Sequence, residues 1–165
     1  MKKIISVIVI LGLVVTGSII GFKEYGDIQI EREQETLEFI KETYNEVYKL
    51  GVEYNEVEDE YISITYEQNA YRNISDDLEE IEKEIKKYEI NEFKNNEEYK
   101  ETIKKLEDYT VNLKNSINSL VKYYDTYNTS DMLLQNDYMR ESNKLQNEIL
   151  DFIEEKTLLN ESEEI

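Results

Sequence analysis

Carboxylates are the abundant reactive groups of this chain, with 38 Asp and Glu against 19 Lys and Arg, and there is no histidine and no cysteine. Two acidic clusters stand out. Glu56, Glu58, Asp59 and Glu60 form one; Asp76, Asp77, Glu79, Glu80, Glu82 and Glu84 form the other. A hard cation such as calcium takes about six to eight converging oxygens, usually from a loop with a glycine turn. Neither cluster has such a loop, and adjacent carboxylates on a helix point in different directions. Glu80 and Glu84, four apart, share a face, and the expected role of that face is solvation.

Other chemistries are excluded by residue type. The Glu-x-x-His pairs that hold two irons in helical bundles need histidine. Thiolate nucleophiles, disulfides and cysteine-ligated metals need cysteine. No G-x-S-x-G elbow occurs, and no phosphate-binding loop can be built from five glycines that all lie within the first 51 residues. A carboxylate pair about 5–9.5 Å apart is the requirement of a glycosidase, but a chain this acidic supplies such pairs by chance. No catalytic, cofactor-binding or metal-ligating residue is assigned, and the reading is non-enzymatic.

Tyrosine is the other conspicuous type, with 14 copies. Tyr44, Tyr54, Tyr61, Tyr71, Tyr99, Tyr124 and Tyr127 fall on apolar stripes and are expected to pack inward. Tyr48, Tyr66 and Tyr123 fall partly off those stripes, where a phenol ring can stack on a sugar or anchor a partner protein.

The elements that must position these groups are helices. Apolar residues at Leu37, Ile40, Tyr44, Val47, Gly51, Tyr54, Val57, Tyr61 and Ile64 follow steps of three and four, the period of a helical seam. The phase drifts through Gln68 and Tyr71 and resumes at Ile74, Leu78, Ile81, Ile85 and Tyr88. Asn73-Ile74-Ser75-Asp76-Asp77 offers an N-cap serine followed by acids, so a helix is expected to restart or kink there. Tyr88 to Glu97, with three asparagines and no period, reads as a turn. The next seam is the most regular: Tyr99, Ile103, Leu106, Thr110, Leu113, Ile117, Leu120, Tyr124 and Tyr127. Asn128-Thr129-Ser130-Asp131 then caps a last helix with Leu134, Tyr138, Leu145, Ile149 and Phe152 inward. No proline occurs anywhere to interrupt these helices.

The N-terminus supplies an address. Lys2 and Lys3 precede an uncharged run from Ile4 to Phe22, long enough as a helix to cover about 28 Å, close to the hydrocarbon thickness of a bilayer. The competing reading is a secretory leader cut after Ser18, but the apolar run resumes beyond it and no A-x-A pattern is present. Gly17 and Gly21 form one small-xxx-small pair, the kind that lets spans approach closely. The basic start places the N-terminus in the cytoplasm and the rest outside. Without Lys2 and Lys3, the residues after 22 carry 17 basic and 38 acidic side chains, a net −21. A field of that sign repels nucleic acid.

The resulting expectation is an all-α chain: a cytoplasmic stub at 1–3, a transmembrane anchor at 4–22, an extracytoplasmic bundle of three or four helices at 23–159, and an acidic, frayed tail at 160–165. Near residue 28 the first long helix is expected to run on from the span. Its function is read as a membrane-anchored interaction or scaffold module of a bacterial envelope. The partners are then the membrane through 4–22, and a protein or a second copy through the helical seams. The alternative is an anchored or secreted bundle that binds or senses a small ligand, which a pocket lined by Tyr and Asn would favour. Protease added to intact spheroplasts is expected to digest residues 23–165; full protection would overturn this topology.

Overall fold

A computed structural model of the chain describes residues 30–57, 64–92 and 96–163. These form four helices, which we number α1 (30–57), α2 (Ile64–Glu92), α3 (Glu97–Thr126) and α4 (Thr129–Glu163). No strand occurs among the described residues. Two compact units divide the chain, Met1–Thr36 and Leu37–Ile165. Of the first, residues 30–36 are described: they are helical, and Thr36 Oγ1 donates to Arg32 O at 2.8 Å. Among the described residues no helix is long and apolar enough to cross a membrane. The predicted stub at 1–3, the span at 4–22 and the helical continuity near residue 28 lie outside the described residues.

The second unit is an up-down-up-down four-helix bundle. Phe39 of α1 stacks on Tyr88 at the end of α2, and Tyr54 meets Tyr71 near its start, so the two helices are antiparallel. Contacts from α2 to α3 retreat in the same way: Arg72 with Asp125, Ser75 with Asn118, Lys86 with Glu107. So do those from α3 to α4, from Ser116 with Gln135 to Glu98 with Lys156. Gln135 of α4 donates to the Tyr54 hydroxyl at 2.8 Å and closes the ring of helices. Short connections between long helices enforce this order, because the chain cannot cross the bundle between successive elements.

Much of the core comes from the stripes read from the sequence. Leu37, Ile40, Tyr44, Val47 and Tyr54 of α1 are buried, as are Ile74, Leu78, Ile81 and Ile85 of α2. From α3 come Tyr99, Ile103, Leu106, Leu113, Ile117 and Leu120, and from α4 Leu145, Ile149 and Phe152. Buried threonines on α3 satisfy their hydroxyls without a partner helix: Thr102 donates to Glu98 O and Thr110 to Leu106 O, each one turn back.

Several boundaries differ from the sequence reading. No restart occurs at Ser75, because α2 is uninterrupted and Ser75 is buried, with its hydroxyl hydrogen-bonded to Asn118 Oδ1 of α3 at 2.9 Å. The drift through Tyr71 is not a defect either, since Tyr71 is fully buried. Residues 58–63 lie outside the described residues; α2 begins at Ile64 with the acid Glu67 in its first turn. Within the turn predicted over Tyr88–Glu97, helix continues to Glu92 and Asn96 caps α3, its Oδ1 accepting from Glu98 N, while residues 93–95 lie outside the described residues. At the other end α4 stays helical through Glu163, into the predicted tail, with no proline or glycine to stop it.

Two residues expected inward are exposed instead, and Tyr138, also expected inward, is only half-buried. Leu134 is 45% exposed, because α4 there turns Asp131 and Gln135 toward α3 instead. Tyr127 is 69% exposed, because it is the C-cap of α3 and leaves the helical path with a left-handed backbone, φ 54°.

Leu106 is fully buried at the middle of this core. Leu106→Ala is expected to cost about 2–5 kcal/mol, read as a lower urea midpoint with unchanged slope. Glu80→Gln on the solvated face is expected to stay within about 0.5 kcal/mol of the parent.

Candidate functional site

The second acidic cluster lies along α2, and its carboxylates separate by direction. Glu80 and Glu84 face a groove between α1 and α2 of about 510 Å³, together with Asp77, Glu46, Glu53 and a single cation, Lys49. Among the described residues no three carboxylates converge closely enough to hold a metal ion. Residues Glu58, Asp59 and Glu60 of the first cluster lie outside the described residues.

Glu82 turns the other way. Its side chain is largely covered, one oxygen paired with Lys86 and the other with Lys114 of α3, and Lys86 also reaches Glu107 at 3.4 Å. Burial alone would raise the Glu82 carboxyl, but hydrogen bonds from Lys114 and Lys86 outweigh it and hold the group below the ordinary carboxylate range. The group ties α2 to α3 and is occupied in doing so.

Among the described residues Tyr44, Tyr54, Tyr71, Tyr99 and Tyr109 are buried, and Tyr88, Tyr123 and Tyr124 pack partly buried against them. Tyr54 and Tyr71 rings lie 5.4 Å apart, Tyr71 stacks on Tyr124 at 6.3 Å, and Tyr44 lies 6.3 Å from Tyr109. Tyr109 was on none of the stripes read from the sequence, yet it is buried among them. Burial pushes its phenol up, with Tyr44 and Tyr48 adding to the shift, so it stays protonated. Tyr44 is also raised by burial, against a hydrogen bond with Gln146 that lowers it. Tyr61 lies outside the described residues.

Four of the exposed apolar residues lie together at one corner, while Ile30, Val52, Leu150, Leu158 and Leu159 are exposed elsewhere. Tyr127 and, on the first turns of α4, Met132, Leu133 and Leu134 are all exposed, Leu133 by 67%. The corner is firmly built. Tyr127 N donates to Tyr123 O at 2.7 Å, and Asn128 Oδ1 accepts from Ser130 N at 3.1 Å. The buried Asp131 carboxylate takes Lys122 Nζ at 2.7 Å and has Thr126 Oγ1 at 3.2 Å. A left-handed backbone costs a non-glycine residue roughly 1–2 kcal/mol, so the corner holds a large aromatic in water against a local strain. Three consecutive apolar residues at 132–134 cannot all face one side of a helix, which is the signal that could have marked the patch.

The second feature is a cleft of about 220 Å³ where α1, α3 and α4 meet. Its polar lining is neutral: Tyr48, Asn55, Tyr109, Ser142, Asn143 and Gln146. Gly51, Val52, Leu113 and Met139 complete it. Tyr48, expected off the inward stripe, is 45% exposed at this cleft. Ser142 is 1% exposed, and its hydroxyl has no hydrogen-bond partner. Helical periodicity marks none of the α4 residues here as functional.

Compared with known protein families, curated proteins and solved structures, the chain matches none of them.

Because Glu82 is held below its ordinary range, the stability it supplies is present above that range and is lost as pH falls through the lowered value. Glu82→Gln is therefore expected to destabilise the bundle by about 1–3 kcal/mol at neutral pH, leaving Lys114 without its partner. The deficit should shrink in melts at progressively acidic pH; a gap independent of pH would show that charge is not its cause.

Proposed function

We propose that this chain is a membrane-anchored, non-enzymatic interaction module of a bacterial envelope, held by residues 4–22 and engaging a partner protein through the α3–α4 corner. The observation that carries the reading is Tyr127, a large exposed aromatic kept in a strained cap beside Met132, Leu133 and Leu134. Backbone strain at an exposed position motivates a functional hypothesis, since glycine would relieve it. Aromatic and methionine side chains in a cluster are the composition of binding hot spots.

The corner lies at the end of the bundle opposite Leu37, where the chain enters it, since Tyr54 faces Gln135 while Tyr44 faces Gln146 further along α4. The partner surface that fits is an apolar cup with a basic rim. Asp125 and Asp137 flank the patch, both exposed, and the region beyond residue 22 carries a net −21. The same charge works against pairing of two copies at this corner.

Photocrosslinking from Leu133→p-benzoylphenylalanine in the full-length protein in cells, followed by mass spectrometry, is expected to yield one protein adduct mapping to a basic segment. Tyr127→Gly should abolish that adduct while raising thermal stability, because strain is relieved by about 1 kcal/mol. Self-adducts alone would replace this reading with a structural homo-oligomer. No adduct, or one indifferent to Tyr127→Gly, would overturn it.

A further inference from the structure

The cleft between α1, α3 and α4 has two features that bundle packing does not account for. The first is Gly51. Glycine inside a helix is less favourable than alanine, and Gly51 has no positive φ that would require it. Nor does space require it. A Cβ there would lie 3.6 Å from Leu113 Cδ2 and 3.9 Å from Tyr109 Oη, ordinary contact distances. What the missing side chain preserves is room in the cleft it lines. The second is Ser142. A buried helical hydroxyl ordinarily donates to the carbonyl one turn back, as Thr110 does to Leu106 O. The Ser142 hydroxyl is buried at the same cleft with no partner, a state that costs stability unless something bound there satisfies it.

The geometry points to a binding site for one neutral sugar ring at this cleft. Its lining has no charged side chain, which disfavours both cations and anions relative to the acidic grooves elsewhere on the bundle. Amides at Asn55 and Asn143 present donors and acceptors together, the complement of adjacent sugar hydroxyls, and Gln146, which also hydrogen-bonds Tyr44, lines the same cleft. The Tyr48 ring at the cleft is half in water and offers an apolar face to the C–H side of a pyranose. The Tyr109 hydroxyl at the cleft supplies a phenol donor. The volume, about 220 Å³, lies below the range of about 300–1,000 Å³ typical of drug-sized ligands and suits a single ring. The ring can be a free monosaccharide or the end unit of an envelope glycan, which share this chemistry.

The test uses full-length protein in nanodiscs, free of sugar-based detergent, and saturation-transfer NMR. The probes are D-glucose, N-acetylglucosamine, its linear tetramer, cationic D-glucosamine and anionic D-glucuronate. Transfer to at least one neutral sugar is expected, with affinity lowered about 5–10-fold by Ser142→Ala, the loss of one hydrogen bond. Tyr48→Ala, at an exposed position, should lower it about 10-fold or more through loss of stacking. Ser142→Ala should also raise the melting temperature of the sugar-free protein, which a hydroxyl with a structural role would not do. Tetramer binding at least as tight as monosaccharide binding assigns the site to a glycan end; monosaccharide binding alone assigns it to a free sugar. No transfer to any neutral sugar at millimolar concentration, preference for a charged one, indifference to both variants, or a lowered melting temperature in Ser142→Ala would each overturn the proposal.

Discussion

Apolar burial along α3 is the interaction on which the rest of the structure depends. This helix buries eleven residues and touches all three others: α2 through Ser75–Asn118, α4 through Ser116–Gln135, and α1 through Tyr109 and Leu113. The chain has no disulfide and, without histidine or cysteine, lacks the commonest side chains for a structural transition metal. Stability must therefore come from area removed from water, and α3 is where most faces converge. Its buried threonines are reconciled with burial locally, bonded one turn back, while Ser116 donates across to Gln135 O of α4.

Charge is subordinate to that core but selects its register. Exposed ion pairs contribute little individually, and Arg72–Asp125 between α2 and α3 is of this kind. Glu82 differs because it is mostly covered and paired twice, so a shift of α2 along α3 would strand it. Asp131 plays the same part at the α3–α4 corner, where a buried carboxylate between Lys122 and Thr126 leaves little freedom in how α4 departs. The consequence is a corner rigid enough to hold Tyr127 in a left-handed cap and to keep its apolar neighbours outside. Rigid presentation reduces the ordering cost of binding, which is why a strained, exposed aromatic is coherent with the role proposed for it.

The corner and the cleft divide the molecule's surface chemistry. One is apolar with an acidic flank; the other is polar and uncharged. They share α4, whose exposed first turns, Met132 to Leu134, lead into Met139, Ser142 and Gln146 at the cleft. α4 is also where the inward stripe is least regular. A helix with a weak stripe has side chains left over for other uses, while α3, saturated with core residues, has few.

How much of this the sequence determined follows the same division. The stripes Ile74–Ile85, Tyr99–Leu120 and Leu145–Phe152 were legible because burial against neighbouring helices imposes a three-and-four spacing that no other local structure produces. The all-helical class and the cap at Asn128 were legible because breakers are absent and capping is a local hydrogen bond. Ser75 misled because a side chain that can cap a helix can equally bond across to another one, and only the neighbour, Asn118, decides between the two. Tyr109 and Ser142 keep the inward spacing, three after Leu106 and four after Tyr138, but spacing alone does not tell a packed side chain from one that lines a cleft assembled from three helices. The corner strain, the room beside Gly51 and the partnerless hydroxyl likewise arose only when those helices met. Local spacing determines which face of each helix is buried; what remains on the other faces to bind anything is decided by how the faces are brought together.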